Sequence, residues 1–262
     1  MMRSLNTAAS GMVVQQRNLD TIANNLANVN TTGFKAQRAE FQDLMYQTVR
    51  ASGAANSGAA QQPSALQVGL GSQFVASSGN FSQGAVQQTG NQTDLAITGD
   101  GFFKVEMPDG TNAYTRDGSF KINATGELVT SDGYAISPSI SIPNGATAVF
   151  VSANGTVSAK VPGQDEPQEL GTLTITVFPN ASGLTRIGQN LFSAGGASGT
   201  GEDRTPGQEG AGQIVQGALE SSNVEIVFEM VRMITAQRAY EINSKAIQTS
   251  DDMLGVLNAL KR

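Results

Sequence analysis

Both ends of the chain carry apolar side chains that recur every seven residues, and this repeat restricts the fold more than any other feature. At the N-terminal end it forms two interleaved rows, Leu5, Met12, Leu19 and Leu26 in one and Ala8, Ile22 and Val29 in the other. Gln15 is the polar exception in the second row. This spacing is that of the a and d positions of a coiled coil, and it predicts a helix over 4–30 that stops at Gly33.

The C-terminal end shows the same repeat. One row consists of Ile226, Met233, Tyr240, Ile247 and Leu254, widened by Leu257. Ser222 and Glu225 have capping-box spacing, so we expect a helix from Ser222 to about Lys261, about 58 Å long. The two helices could pair with each other or bundle with helices of other chains. An intramolecular hairpin is the simpler alternative, although helices of globular domains usually run to about 8–20 residues.

The N-terminal helix has few charges and many asparagines. Arg3, Arg17 and Asp20 are its charged residues, whereas a solvated helix normally carries more charge on its polar face. Asparagines occur instead, among them those at 18, 24, 25, 28 and 30. Because asparagine is a poor helix former, this helix needs stabilisation from outside, and we expect it to become ordered on assembly with other chains.

The middle of the chain reads as β-structure, so the predicted fold class is α+β with long terminal helices around a central antiparallel β-rich domain. Residues 95–98 and 102–105 read as two strands joined by a turn at 99–101, and 173–178 is the clearest alternating strand. Hairpin turns are predicted at Asp109-Gly110, Asp117-Gly118, Thr125-Gly126, Asp132-Gly133, Asn144-Gly145 and Asn154-Gly155. Their spacing predicts a small sandwich or barrel.

These patterns predict three regions. Residues 1–35 and 222–262 form a helical inner domain, 36–93 and 195–221 an extended connecting region, and 94–194 the β-rich outer domain. Within the connecting region, 47–66 is rich in Ala, Ser, Gly and Gln and has no apolar periodicity. Such a segment is a flexible linker by default.

Composition narrows the possible functions. The chain has no His, Cys or Trp, which removes the commonest general base, thiolate chemistry and most transition-metal ligands. We therefore expect no catalytic residue, no metal ligand and no cofactor. The net charge of −6, with no basic patch, predicts no nucleic-acid partner. No stretch of about 18 apolar residues predicts membrane insertion, and the N-terminus does not read as a cleavable secretion signal.

Three stretches resemble the flagellar basal-body rod protein family. The first, 22–35, carries Asn24, Asn25, Leu26, Asn28, Thr32, Gly33 and Phe34. The second, 237–247, begins with Gln237, Arg238, Ala239 and Tyr240, and it is most similar to the distal rod members. The third consists of 98–103 together with 114–120. The resemblance covers nearly the whole chain.

This resemblance implies a structural subunit of the distal rod that self-assembles into a hollow helical filament and transmits torque from motor to hook across the periplasm. The implied partners are other copies of the chain, proximal rod proteins, the hook protein or hook–rod junction, the surrounding P- and L-ring proteins, and the type III export apparatus and rod cap. The implied location is the basal body, from the periplasm to the outer membrane, reached without a cleaved signal peptide. Residues 47–66 would correspond to a contact that stiffens the rod.

Two other interpretations remain open. Within the same class, the chain could be a proximal rod or hook-type axial subunit. In a different class, it could act on or bind peptidoglycan. An enzyme of that kind would need a cleft acid with a raised pKa, and few glutamates occur in the predicted β-domain. A binding module would need aromatic platforms, where the β-domain offers Tyr114 and Tyr134 and no Trp.

Overall fold

The computed structural model describes residues 2–50, 64–143, 145–163, 166–208 and 210–260, without the side chains of 257 and 258. They form two compact units, each assembled from separate stretches of the chain. The first unit comprises Met1–Leu26, Gln37–Ser78 and Glu225–Arg262, and the second comprises Ala27–Ala36 and Gly79–Val224. The predicted α+β fold class is confirmed, with a long helix at each end and antiparallel strands between them.

The first unit contains both long helices and four strands. Its elements are α1 (Met2–Ala27), β1 (Gln37–Asp43), β2 (Tyr46–Arg50), β3 (Leu66–Gly69), β4 (Ser72–Gly79) and α2 (Ile226–Leu260). Strand β1 pairs with β4, and Phe41 of β1 meets Phe74 of β4 edge to face at 6.2 Å between ring centroids. Strands β2 and β3 form an antiparallel pair from Tyr46 opposite Gly69. The two ends of the predicted linker 47–66 therefore lie in strands, and its residues 51–63 lie outside the described part.

Helix α1 ends at Ala27, three residues before the predicted end. The Thr31 hydroxyl donates to the Asn28 side-chain oxygen at 3.2 Å, and the Thr31 amide donates to the Asn28 carbonyl at 3.2 Å. Such local hydrogen bonds compete with the helical ladder and favour a turn. Gly33 has the predicted left-handed conformation, with a φ of 65°, but it lies beyond the turn that follows α1, and its amide donates to the Glu220 carbonyl instead of capping the helix.

Helix α2 begins at Ile226, four residues after the predicted start. Asn223 holds the preceding chain in an extended path, because its side-chain oxygen accepts from the Ala36 amide at 2.7 Å and its amide group donates to the carbonyls of Asn80 and Ser82. The Ser222 hydroxyl accepts from the Val224 amide at 3.3 Å rather than forming the predicted capping box. These tertiary hydrogen bonds keep 222–225 out of the helix, which therefore begins at Ile226.

The second unit is built from antiparallel strands. They are β5 (Val86–Gln88), β6 (Leu95–Thr98), β7 (Phe102–Glu106), β8 (Asn112–Thr115), β9 (Lys121–Ile122), β10 (Leu128–Val129), β11 (Ala135–Ser137), β12 (Ala148–Val151), β13 (Thr156–Lys160), β14 (Gln168–Thr172), β15 (Ile175–Val177), β16 (Thr185–Gly188), β17 (Leu191–Ser193), β18 (Glu202–Arg204), β19 (Gln213–Gln216) and β20 (Ala218–Glu220).

A nine-stranded sheet forms the centre of this unit. Its main path runs β16-β17-β8-β7-β11-β10-β9, and β15 joins it by pairing with both β7 and β18. Strands β12, β13 and β14 form a second sheet, while β6 pairs with β19 and β5 with β20. The predicted hairpin of 95–98 with 102–105 is wrong: both strands exist, but β6 pairs with β19 and β7 with β8, β11 and β15. Long-range pairing overrode the local turn at 99–101.

Two hydrophobic clusters fill the second unit. The larger one gathers aliphatic side chains around Phe103 and Phe120, whose rings meet edge to face at 5.1 Å. The smaller one is aromatic, and Phe102 lies at its centre, with ring centroids of Phe178 and Phe192 each 5.9 Å away. Successive residues of β7, Phe102 and Phe103, thus supply the two clusters, because adjacent strand residues point to opposite faces.

Five of the six predicted turn pairs have their glycine in the left-handed region, as a hairpin turn requires: Gly110, Gly126, Gly133, Gly145 and Gly155. Gly118 does not. A Cβ at Gly118 would lie 1.6 Å from the Leu95 carbonyl oxygen, and the Leu95 amide donates to the Gly118 carbonyl at 3.0 Å. Glycine is therefore required at 118 because the backbone there packs directly against the backbone of Leu95, and not because of a hairpin turn.

Asp203 of β18 provides a pH-dependent contribution to stability. Partial burial raises its pKa, but the hydrogen bonds from the Thr176 hydroxyl at 2.6 Å and from the Lys104 ammonium at 3.0 Å outweigh this, and the net pKa is lowered. A carboxylate with a lowered folded-state pKa stabilises the fold above its unfolded pKa, and this stabilisation is lost as the pH falls through the folded value.

We expect Asp203→Asn to lower the thermal midpoint at pH 6, with the difference from the wild type shrinking as the pH falls through the lowered pKa of Asp203. Thermal unfolding of both proteins across this range measures it. The Thr176→Val variant keeps Asp203 but removes one of its two hydrogen bonds. The thermal midpoint of this variant should therefore change less with pH than that of the wild type. If the thermal midpoints of Asp203→Asn and wild type differ by the same amount at every pH, Asp203 is not the source of a pH-dependent stabilisation.

Candidate functional site

Helix α2 leaves most of its apolar side chains in contact with solvent. Among its described side chains, only those of Glu229 and Ala236 are buried. Val227 is 70% exposed, Val231 55% and Ile242 67%. Contiguous apolar exposure of this kind marks an interaction surface, since single folded chains rarely leave it uncovered.

These exposed residues lie on one face of α2. At about 100° per residue, Val227, Val231, Ile234 and Ile242 fall on a common face, which we call the outer face of α2. Arg238 falls within the same face. The buried side chains Glu229 and Ala236 lie on the opposite side of the helix, as does Met233 of the predicted heptad row. Helix α2 is therefore apolar on two opposite sides, and only one side contacts the rest of its own unit.

The structure places the predicted helix-interface residues as follows. Ala8 and Ile22 are buried; Leu5, Met12, Leu19, Leu26, Val29, Met233, Ile247 and Leu254 are half-buried; Ile226 and Tyr240 are exposed; the side chain of Leu257 lies outside the described part. Whether these residues form an assembly interface stays a prediction. The heptad pattern did not indicate the outer face of α2, whose residues are spaced by three, four and eight rather than by seven.

Helices α1 and α2 approach each other closely within the first unit. A Cβ at Gly11 would lie 2.9 Å from the side-chain nitrogen of Asn243. Asn25 of α1 is buried and exchanges two hydrogen bonds of 2.8 Å with the backbone of Gln37 in β1. This asparagine therefore has a partner inside its own chain, which explains how a weak helix former is accommodated at this position.

The predicted family motif divides between the two units. Asn24 is exposed and Asn25 buried; Leu26, Asn28, Thr32 and Phe34 are half-buried and Gly33 is buried; Gln237, Arg238 and Tyr240 are exposed and Ala239 is half-buried. The segment 27–36 belongs to the second unit. There the Thr32 hydroxyl donates to Asp117 at 2.9 Å, and the Gly33 amide donates to the Glu220 carbonyl at 2.8 Å. The end of this motif is therefore fastened to the β-rich unit.

A buried ion network lies where this segment is fastened. Glu220 Oε1 accepts from Lys35 Nζ at 2.6 Å and from the Gly84 amide at 2.8 Å, and Oε2 accepts from Arg116 Nη1 at 3.3 Å. The side chains of Lys35, Glu220 and Arg116 are only 1%, 0% and 4% exposed. Two cations thus share one carboxylate in a buried site.

Burial dominates the electrostatics of the two cations. Burial lowers the pKa of Lys35 more than the hydrogen bond and charge of Glu220 raise it. Burial likewise lowers the pKa of Arg116, against the opposing charges of Glu220 and Asp100. Arg116 Nη2 also donates to the Gly99 carbonyl at 2.6 Å, and its guanidinium lies 5.3 Å from the centroid of the Phe102 ring. The network is a structural junction between strands, held together by charge-assisted hydrogen bonds.

Sequence reasoning missed most residues of this junction. Glu220 and Asn223 were not singled out, and Lys35 and Arg116 were recognised only as members of family motifs. One signal was available: Ala218 and Glu220 alternate with Leu219 in a short strand, and the alternation puts the Glu220 carboxylate on the same face as a small residue. The partners of that carboxylate come from 104 and 185 residues away in sequence, which no local pattern reveals.

Among the described residues, no group of three or more acidic residues could hold a metal ion. No helix in the described ranges is long and apolar enough to cross a membrane.

A long terminal helix with an uncovered apolar face is typical of a protein that completes its packing with other chains. The comparisons with known proteins agree with this class. The chain matches three family models: "Flagella basal body rod protein" over residues 5–35, "Flagellar hook protein FlgE/F/G D1 domain" over 96–159 and "Flagellar basal body rod FlgEFG protein C-terminal" over 215–260.

Full-length relatives support the same assignment. The chain is 55% identical to the flagellar basal-body rod protein FlgG of Borreliella burgdorferi, with both proteins covered completely. It is 43% identical to the Bacillus subtilis protein of that name and 31% identical to the flagellar hook-basal body complex protein FlhP of the same organism, again over 100% of each chain. The chain belongs to the flagellar basal-body rod protein family. The prediction of a structural subunit of the flagellar distal rod is thereby confirmed.

Proposed function

We propose that this chain assembles through its terminal helices into a hollow helical filament that transmits torque from motor to hook, and that it has no enzymatic role. The observation that supports this most directly is the outer face of α2, where Val227, Val231 and Ile242 are more than half exposed. Burying one such side chain completely stabilises an assembly by about 1.5–3 kcal/mol, so a row of them along one helix supplies a substantial driving force.

The proposal extends to partners and location. The chain contacts other copies of itself along the filament, proximal rod proteins below, and the hook protein or hook–rod junction above. It passes through the type III export apparatus to the growing end beneath the rod cap and lies within the P- and L-rings, between the periplasm and the outer membrane. The 43% identity to the basal-body rod protein FlgG of Bacillus subtilis, over the full length of both chains, favours the rod interpretation over a hook-type one.

Residues 47–66 and the predicted division into inner, connecting and outer regions are part of this proposal. The paired strands β2 and β3 expose Val49 and Leu66 by 56% and 53%, and an exposed apolar ribbon of this kind can pack against a neighbouring subunit. The ribbon would then stiffen the rod, as the resemblance to distal rod proteins implies.

Truncation of the outer face tests the assembly function. We expect the double change Val231→Ser and Ile242→Ser to raise the critical concentration for polymerisation about 100-fold, because each side chain loses about 1–2 kcal/mol of burial per contact. Serine has a helix propensity close to those of valine and isoleucine, so the helix itself should persist. Sedimentation of the purified full chain over a concentration series measures the effect.

Ile122→Ser is the matched control, because Ile122 is 45% exposed on a strand of the β-rich unit. This variant should polymerise at the wild-type concentration. If the double variant polymerises like the wild type, or if the wild type does not polymerise at all, assembly through α2 is excluded.

A further inference from the structure

A polar pocket of about 230 Å³ lies on the β-rich unit, between the β10–β11 turn and the β16–β17 turn. The segment that follows β8 closes its third side. Phe120 and Leu191, both almost fully buried, form its floor, and hydroxyl, carboxylate and amide groups form its walls. A concave, preformed site with an apolar floor and a few polar groups is the usual form of a small-ligand pocket.

Hydrogen bonds hold the walls of this pocket together without a ligand. The Asn190 side-chain amide, in the β16–β17 turn, donates to Asp117 Oδ2 at 3.3 Å, and the Thr115 hydroxyl donates to the Asn190 carbonyl at 2.8 Å. The Tyr134 hydroxyl, beside the β10–β11 turn, donates to Gln189 Oε1 at 3.3 Å. The three sides are therefore fixed relative to one another, which lowers the entropic cost of binding a ligand.

Several polar groups on the walls have no partner within the described part of the chain. The Asp132 carboxylate and the Gln189 side-chain nitrogen make no hydrogen bond to any described residue, and the hydroxyls of two serines, 119 and 131, make none either. Together they offer one group that only accepts, one that only donates and two that can do both. This set matches a ligand with several hydroxyl groups, since each ligand hydroxyl both donates and accepts.

The β16–β17 turn carries a conformational cost beside this pocket. Gln189 and Asn190 have φ of 54° and 59°, and they are the two non-glycine residues with positive φ among those described. Gly188 and Leu191 pair across the turn, so both central residues are left-handed, for which Asn-Gly is the favoured pair. Glycine at 189 would remove part of this cost, but it would also remove an amide from the pocket wall. Strained residues of this kind are concentrated at ligand-binding sites.

The charge of the lining restricts the ligand further. Asp117 and Asp132 line the pocket, and no described lysine or arginine does, so anionic ligands are repelled. Asp117 Oδ1 already accepts from the Thr32 hydroxyl at 2.9 Å and from the Ser119 amide at 3.0 Å, which leaves Asp132 as the carboxylate with free oxygens. A metal ion would need more ligands, and no group of three or more acidic residues that could hold one occurs in the described ranges. These observations favour a neutral ligand.

We propose that this pocket binds one pyranose ring of a neutral saccharide. The Asp132 carboxylate accepts hydrogen bonds from neighbouring ring hydroxyls, and the Gln189 amide donates to another ring oxygen. The C–H face of the ring lies over the floor of Phe120 and Leu191. A site built to hydrogen-bond hydroxyl groups discriminates strongly against analogues that lack them. All lining residues belong to the β-rich unit, so the site does not depend on assembly through α2.

Saturation-transfer NMR of the full chain with methyl β-glucoside and methyl β-N-acetylglucosaminide tests the site. We expect at least one of them to bind with a dissociation constant of about 1 mM, as is usual for a ligand of this size. Asp132→Ala and Gln189→Gly should each weaken binding about 10-fold or more. Because glycine suits the backbone at 189, Gln189→Gly should unfold at or near the wild-type temperature, so its loss of binding does not come from unfolding. Asp109→Ala is the matched control, an exposed aspartate of another Asp-Gly turn, and should bind like the wild type.

The same titrations distinguish the sources of the ring. If β-1,4-linked tetramers of these sugars bind about 10-fold more tightly than the methyl glycosides, the ligand is a polysaccharide strand, whereas equal affinities indicate a single free sugar. The proposal is overturned if neither glycoside binds the wild type at concentrations well above about 1 mM, or if binding is unchanged in both Asp132→Ala and Gln189→Gly. Binding of calcium ions that depends on Asp132, without binding of either glycoside, would show a cation site instead and would also overturn it.

Discussion

Replacement of Glu220 by alanine is expected to destabilise the β-rich unit by about 3–5 kcal/mol, because it leaves Lys35 and Arg116 as unpaired buried cations. The side chains of all three residues are at most 4% exposed, so solvent cannot replace the carboxylate. The Gly84 amide loses its acceptor as well. Urea denaturation of the full chain measures the free energy of unfolding directly.

Glu202→Ala is the control for this change. Glu202 also pairs with an arginine, Arg204, at 2.7 Å, but its side chain is 63% exposed, and exposed pairs contribute about 1 kcal/mol or less. Replacing all three network residues by apolar side chains of similar size should recover much of the stability, since no buried charge then remains unpaired. A loss of less than about 1 kcal/mol in Glu220→Ala would show that the network does not hold this unit together.

Gly33→Ala is expected to be almost as damaging, at about 3–5 kcal/mol. The φ of 65° costs an L-residue about 1–2 kcal/mol. In addition, the new Cβ would lie 2.5 Å from the Asp117 amide nitrogen and 2.6 Å from the Arg116 carbonyl carbon, and backbone atoms cannot move aside as a flexible side chain can. The change should therefore shift the segment that carries Lys35 away from Glu220.

The Gly110→Ala variant separates the cost of the left-handed backbone conformation from the cost of the steric clash. Gly110 has a similar φ of 77°, but a Cβ there would meet nothing within 4 Å. This control should lose only the conformational part, about 1 kcal/mol. Thermal unfolding of both variants measures the difference. Equal losses in the two would mean that the close packing around Gly33 contributes nothing.

The sequence predicted the parts of this protein that depend on local periodicity. The seven-residue rows predicted both terminal helices, and five of the six predicted turn pairs, Thr125-Gly126 among them, have their glycine in the left-handed region. The helix ends were displaced by three and four residues, because Asn28 and Asn223 make hydrogen bonds that helix propensity does not describe. The strands 95–98 and 102–105 were placed correctly but paired wrongly, because β6 pairs with β19, more than 100 residues away, and β7 pairs with β8, β11 and β15, the last about 70 residues away.

Family membership also followed from the sequence, because motifs such as 22–35 are contiguous and need no structure to be recognised. The role of that motif did not follow. The seven-residue pattern predicted that the first half of this motif forms a helix interface. In the structure, Thr32 donates a hydrogen bond to Asp117, and Gly33 and Lys35 donate to Glu220 in the β-rich unit.

The sequence by itself determined that the chain has helical ends, a β-rich middle and little chemistry beyond carboxylates and amines, since periodicity and composition are properties of neighbouring residues. Tertiary structure decided which charges meet and which faces stay open. Glu220 pairs with Lys35, 185 positions away in the sequence, Glu229 keeps a buried oxygen that accepts no hydrogen bond from the described residues, and Arg238 lies on an uncovered face. Burial and pairing depend on the packing of distant segments, and no local pattern in the chain records them.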